Sequence, residues 1–201
     1  MSSKTVFMDY AELRAALDGR LDAMLSPDRA AHSRRVAELT AAICVREGID
    51  PERGRVAGLA HDMCKEMPRK AQRELASAYP GVVPGSALMA DKVVHGPAAA
   101  TLLARDYGLS DKGLLEAVAM HTVGKPGMGS LAIILYCADK LEPGRERHES
   151  EFREHCLAMP LEGMLLAVVE GVITWLRSKD RAIAPETLVL YDSLRRKADR
   201  S

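Results

Sequence analysis

Apolar residues recur along this chain three and four apart, and no strand-like alternation of apolar and polar residues interrupts that helical period. Start and stop signals punctuate it. Ser26-Pro27-Asp28 supplies an N-cap, a first-turn proline and a first-turn acid, Val36, Leu39 and Ile43 follow at helical spacing, and Gly48 ends the run. Asp50-Pro51-Glu52 repeats the signal ahead of Val56, Leu59 and Met63, with Pro68 as the stop. A more polar helix is expected over residues 69–79, a loop over 80–85, and a helix opening at His95-Gly96-Pro97 and closing at Gly108. Ser110 is expected to cap the next, on which Leu114, Val118 and His121 share a face, and the stretch Gly124 to Gly129 ends it. Ser130 begins an apolar helix carrying Leu135 and Asp139 until Pro143; Val169, Val172 and Leu176 mark a later core helix, and Pro185 precedes a last one through Tyr191 and Leu194.

The expectation is an all-α fold: a single compact helical bundle over 1–201, with its core at about 26–195. Nearly half the residues are hydrophobic but only 4% are aromatic, a balance that suits packed helices better than sheets. The polar stretch 144–156 reads as a variable surface segment, with His148 and His155 at the surface. Lysine plus arginine equal aspartate plus glutamate, 28 each, so no global field draws the chain to nucleic acid or an anionic membrane, and phosphate binding has to be local. No leader-like or membrane-spanning run is visible, and a cytoplasmic protein is expected. Cys44, Cys64, Cys137 and Cys156 are scattered without a C-x-x-C pair, as reduced, buried thiols would be.

The chemistry concentrates on polar residues that lie on, or next to, the apolar stripes of their helices: His32, His61, His121 and Asp139. A buried polar group left unpaired costs on the order of 1 to 3 kcal/mol, so each needs a hydrogen bond, an ion pair or a metal. Together with Asp62 and His95 they make four imidazoles and two carboxylates on helices that a bundle must pack together, which points to a shared charge at its centre. His61 and Asp62 point about 100° apart around a helix, so an ion reached by both lies beside that helix. The set exceeds a structural tetrahedral zinc site and carries no thiolate pattern; one or two octahedral ions, iron or manganese among them, suit it better.

The order H…HD…H…H…D resembles the HD superfamily of metal-dependent phosphohydrolases. The phrases HDMCKEMP, HGPAAATLLARDYG, HTVGKPGM and ADKLEPGR are similar to its YqeK-type branch, over about His32 to Tyr191. The resemblance implies an all-helical fold, an iron-containing centre and symmetrical hydrolysis of diadenosine tetraphosphate into two ADP. It implies His32, His61, Asp62 and Asp139 as metal ligands, with His95 and His121 binding a second ion or the substrate phosphates. It also implies a catalytic role for Asp62 and Lys65, and substrate contacts from Arg29, Lys65, Thr122, Lys125, Arg145 and the segment holding Ile183, Pro185 and Thr187. The chemistry would be in-line attack on phosphorus by a water that the metal activates. The partner is then a dinucleoside polyphosphate or nucleotide, with neither nucleic acid nor membrane; a homodimer is compatible with the sequence.

Among the departures from the usual phrases HTTGRPGM and DYIEPNR, Lys125 stands for an arginine, Lys140 for a tyrosine and Gly144 for an asparagine. The segment RERHESEF also lacks the FPGV phrase expected after the arginine. Lysine offers a point charge where arginine offers a planar fork, so substrate preference is where a difference is expected. Two other readings share the residues: an HD hydrolase of another nucleotide or phosphoester, and a non-catalytic metal- and nucleotide-binding module.

Overall fold

A computed structural model describes residues 9–82, 86–145 and 150–200. Among them are ten α-helices and no strand: α1 (Tyr10–Met24), α2 (Pro27–Arg46), α3 (Pro51–Ala60), α4 (Arg69–Ser77), α5 (His95–Asp106), α6 (Lys112–Met120), α7 (Ser130–Leu141), α8 (Ser150–Ala158), α9 (Leu161–Ser178) and α10 (Pro185–Ala198). The all-α expectation holds. Of the predicted loop at 80–85, residues 83–85 lie outside the described residues, as does His148.

The core begins earlier than expected. Leu13, Leu17 and Leu21 form an i, i+4 stripe on α1, and that stripe is buried with Leu25 in the main core. α1 packs on α3, the helix that leads into His61-Asp62. The stretch predicted as variable surface also carries a helix, α8, which buries Cys156 while leaving His155 exposed.

The start signals are used differently from one another. Asp50 accepts from the Glu52 N–H, as an N-cap should. Ser26 makes no such bond; its hydroxyl and its backbone N–H both donate to Glu66, at 2.8 and 2.6 Å. The cap of α6 is Asp111, not Ser110: its carboxylate accepts from the N–H groups of Gly113 and Leu114. One residue further along, a carboxylate outcompetes the hydroxyl because it also takes the Arg53 guanidinium and the Tyr10 hydroxyl.

Two glycines set how closely the site-bearing helices approach. A Cβ at Gly58 of α3 would overlap the Ala37 backbone of α2, and one at Gly96 of α5 would press on the Ala119 carbonyl of α6. The first contact brings His32 beside His61, and the second brings His95 beside His121.

Candidate metal centre

Regular α3 bonding ends at Ala60, and residues 61–67 continue as tight turns, with Met63, Lys65 and Met67 donating to carbonyls three residues back. His61 and Asp62 therefore leave the helix end rather than its side. His32 comes from the second turn of α2, His95 from the start of α5, His121 from the C-terminal end of α6 and Asp139 from the last turn of α7. All six are buried, and His61 and His95 have no exposed surface.

Three of the four imidazoles are oriented by a second acceptor. His61 Nδ1 donates to the Gly58 carbonyl at 2.6 Å and His121 Nδ1 to the Val118 carbonyl at 2.7 Å. His32 Nδ1 lies 3.0 Å from the Glu142 carboxylate. Each arrangement leaves Nε2 facing inward with its lone pair, the orientation of a metal-binding histidine. His95 differs, because its buried Nδ1 has no hydrogen-bond partner.

Inside, nitrogens face nitrogens. His32 Nε2 is 3.3 Å from His61 Nε2, and His95 Nε2 is 3.2 Å from His121 Nε2. Asp139 Oδ1 reaches His32 Nε2 at 3.1 Å, while Asp62 Oδ1 reaches His95 Nε2 at 3.1 Å and His121 Nε2 at 3.6 Å. Facing lone pairs repel unless a proton or a cation lies between them, and this mixed nitrogen and oxygen set is what an octahedral divalent ion takes. Among the described residues, two groups have ligand atoms within 4.8 Å of one another: His32, His61 and Asp139, and His61, Asp62 and His121. With Nδ1 committed to Gly58, His61 contributes one lone pair, and so serves one ion at a time. The residues present fit a divalent metal.

Protonation states agree. Burial pushes His61 down to about 4 and also lowers His95 and His121, so these rings are neutral at pH 7. Burial opposes charge on His32 as well, but its hydrogen bonds to Asp139 and Glu142 outweigh burial and raise it. Burial would raise Asp62, yet His61, His121, His95 and Lys65 hold it well below the usual carboxylate range. Asp139 is held down likewise against burial, by Lys140, His32, Arg145 and His61.

Cations rim the centre. Arg29 meets Asp62 Oδ2 at 2.9 Å and is itself held by Glu66 at 3.1 Å. Lys65 Nζ lies 2.9 Å from His95 Nε2 and 3.4 Å from Asp62 Oδ1. Arg145 donates to Asp139 Oδ1 at 2.5 Å and to its backbone carbonyl at 3.0 Å. Arg29, Lys65 and Arg145 are each about one-third exposed, so each touches both the buried centre and solvent. Thr122 Oγ1 lies 3.2 Å from His121 Nε2, at the same rim.

Other predicted contacts lie apart from this cluster. Lys125 pairs with Glu116 at 2.6 Å. Thr187 is buried, donating to the Val123 carbonyl at 3.1 Å, which latches α10 onto the turn after His121. Pro185 opens α10, and Ile183 packs against the core.

Sequence reasoning missed Glu142. Its carboxylate is buried and orients His32, accepts from Arg35 Nε at 2.5 Å and from the Gly144 N–H at 2.7 Å, and is pushed down to about 2. Burial works against that charge; the hydrogen bonds from His32, Arg35 and Gly144 win. The signal was its place in ADKLEPGR, three residues beyond Asp139.

Comparison with known proteins agrees with this geometry. A symmetrical bis(5'-nucleosyl)-tetraphosphatase of Halalkalibacterium halodurans is 29% identical over 175 residues, 85% of this chain and 90% of that protein. The Bacillus subtilis protein of the same name is 26% identical, covering 85% of this chain and 91% of its own length. A crystal structure from Clostridium acetobutylicum, described as a predicted HD superfamily hydrolase involved in NAD metabolism, superposes with a TM-score of 0.81 at 26% identity, over 91% of this chain and 97% of that one. The family model for the HD domain matches residues 29–144, more than half of the chain and the span from the Arg29 rim to the turn after Glu142, and this chain belongs to the HD domain family.

Proposed function

We propose that this chain is a metal-dependent phosphohydrolase that cleaves diadenosine tetraphosphate symmetrically into two ADP. One observation carries the reading: four imidazoles, three of them neutral, and ionised carboxylates converge in a buried centre rimmed by Arg29, Lys65 and Arg145. The names of the two bacillar relatives, matched over most of both chains, give the substrate class.

His32, His61, Asp62 and Asp139 hold the ion, which we take to be iron, with manganese as a substitute. When bound, it supplies a water-derived nucleophile near neutral pH and Lewis acidity at a phosphoryl oxygen. The chain's own residues do the rest. Glu142 and the Gly58 carbonyl keep His32 and His61 in the tautomers that present Nε2. Arg29, Lys65 and Arg145 exchange part of their contact with Asp62 and Asp139 for the polyphosphate, and balance the charge that builds on its oxygens. His95, His121 and Thr122 sit where those oxygens come closest to the centre. The P–O bond to the departing ADP breaks as the new bond to phosphorus forms, and ADP needs little general-acid help. Four free, buried thiols support a reading as a cytoplasmic enzyme.

Elemental analysis of the purified protein, with product analysis on a dinucleotide panel, tests the reading. Iron or manganese with ADP as sole product is expected, and Asp62→Ala should abolish both bound metal and turnover. Full turnover by metal-free Asp62→Ala protein would sink it. Pairing of Lys125 with Glu116, and lysine at position 140, favour one alternative: the same chemistry on another nucleotide, which the panel would reveal as a different best substrate.

A further inference from the structure

Glu66 lies on the run of tight turns that follows His61-Asp62, and its carboxylate reaches back to the start of α2. Ser26 is the N-cap of α2, a position whose hydroxyl ordinarily accepts from a first-turn N–H. Here it makes no such bond. Its hydroxyl donates to Glu66 Oε1 at 2.8 Å and its backbone N–H to Glu66 Oε2 at 2.6 Å. Both oxygens of Glu66 are thus fixed from α2, and Oε1 also accepts from Arg29 Nε at 3.1 Å.

The same guanidinium donates through Nη1 to Asp62 Oδ2 at 2.9 Å. Arg29 is therefore gripped through two different nitrogens by two carboxylates of one turn, and the two grips differ in kind. Asp62 is buried and belongs to the proposed ligand set, so its bond to Nη1 is the one that an ion and a phosphate oxygen compete for. Glu66 stands outside that set, its side chain about one-third exposed, and its bond to Nε can persist while Nη1 changes partner. No hydrogen bond among the described residues uses Nη2. With Nε anchored, Nη1 and Nη2 remain as the planar fork that suits a phosphate, and a fork fixed beforehand loses less freedom on binding one.

Resting on the phosphohydrolase reading above, we propose that Glu66 is a positioning residue: it anchors Arg29 by Nε, so that the other two guanidinium nitrogens are presented ready-aimed to a phosphate group at the metal centre. The unused cap of Ser26 belongs to the same device, since the serine holds the carboxylate that holds the arginine.

The test is a double-mutant cycle on Mn2+-loaded full-length protein, with ADP binding followed by calorimetry. Glu66→Ala should raise the ADP dissociation constant about fivefold or more, whereas the same substitution in an Arg29→Ala background should change it less than about twofold. A residue that merely pinned the turn to α2 would instead weaken binding by the same factor with or without Arg29. Urea midpoints establish that each variant folds, and Glu66→Gln, which keeps the bulk of the side chain, replaces alanine in the cycle should Glu66→Ala fail to fold. Equal losses in the two backgrounds, no loss in Glu66→Ala, or a wild type that binds no ADP would overturn the proposal. Hydrolysis is scored separately. A wild type that shows the coupling and hydrolyses no nucleotide would defeat the functional reading alone, while equal losses in an active enzyme would defeat the positioning role alone.

Discussion

Single side chains carry most of the chemistry, and Glu142 is the clearest case of one acting at a distance. It touches no inward-facing Nε2, yet fixes which nitrogen of His32 faces Asp139. Glu142→Gln should weaken metal binding by about 10- to 100-fold while leaving the fold intact, read by competition with a chelator. The cysteines give a second prediction. Burial pushes Cys44 up to about 11 and Cys64 up to about 12, so native protein at pH 8 should resist iodoacetamide and urea-unfolded protein should react. The sign for stability follows: their contribution is complete below pH 9 and is lost as pH rises through about 11 to 12. At this scale the sequence was informative. The histidines and aspartates stood out because polar residues on apolar stripes need partners, and the structure buries all six. Glu142 escaped because it sits at the C-cap of α7, just before Pro143, where the period of the helix has already run out.

Among the helices, Asp111 shows how much one cap can join. It ends the orphan donors of α6, takes the Arg53 guanidinium from α3 and accepts the Tyr10 hydroxyl from α1. Asp111→Ala should cost about 1–3 kcal/mol in urea unfolding, a lost cap plus a stranded guanidinium. Burial opposes charge on Asp111, but the bonds from Tyr10, the Leu114 N–H and Arg53 hold its carboxyl below 3.8. The stabilisation is thus present above that pH and is lost as pH falls through the depressed value; Asp111→Ala should lack this acid limb. Starts signalled by proline after a capping residue were legible, at Ser26 and Asp50. Ser110 was misassigned because hydroxyl and carboxylate are adjacent in sequence and only tertiary partners decide between them. α8 was hidden by its polarity, since a helix that buries little besides Cys156 leaves almost no apolar stripe to read.

For the whole molecule, the four leucines of the first helical segment matter more than their position near the N-terminus suggests. Leu17 is buried between its stripe neighbours and the core, and Leu17→Ala should cost about 2–5 kcal/mol, seen as a lowered urea midpoint. Because α1 backs α3, that loss should also lower metal retention near the unfolding transition. The expected core start near residue 26 was therefore too late, although the leucine period was present in the sequence all along. The close contact of Gly58 with Ala37 reaches further still. Two ligand-bearing helices meet there almost backbone to backbone, with only the Ala37 methyl beside the contact and no long side chain to bend. The spacing of His32 and His61 is thus set by a joint with little room to give, and hydrostatic pressure or modest heating should disturb the outer helices well before it alters the grip on an ion.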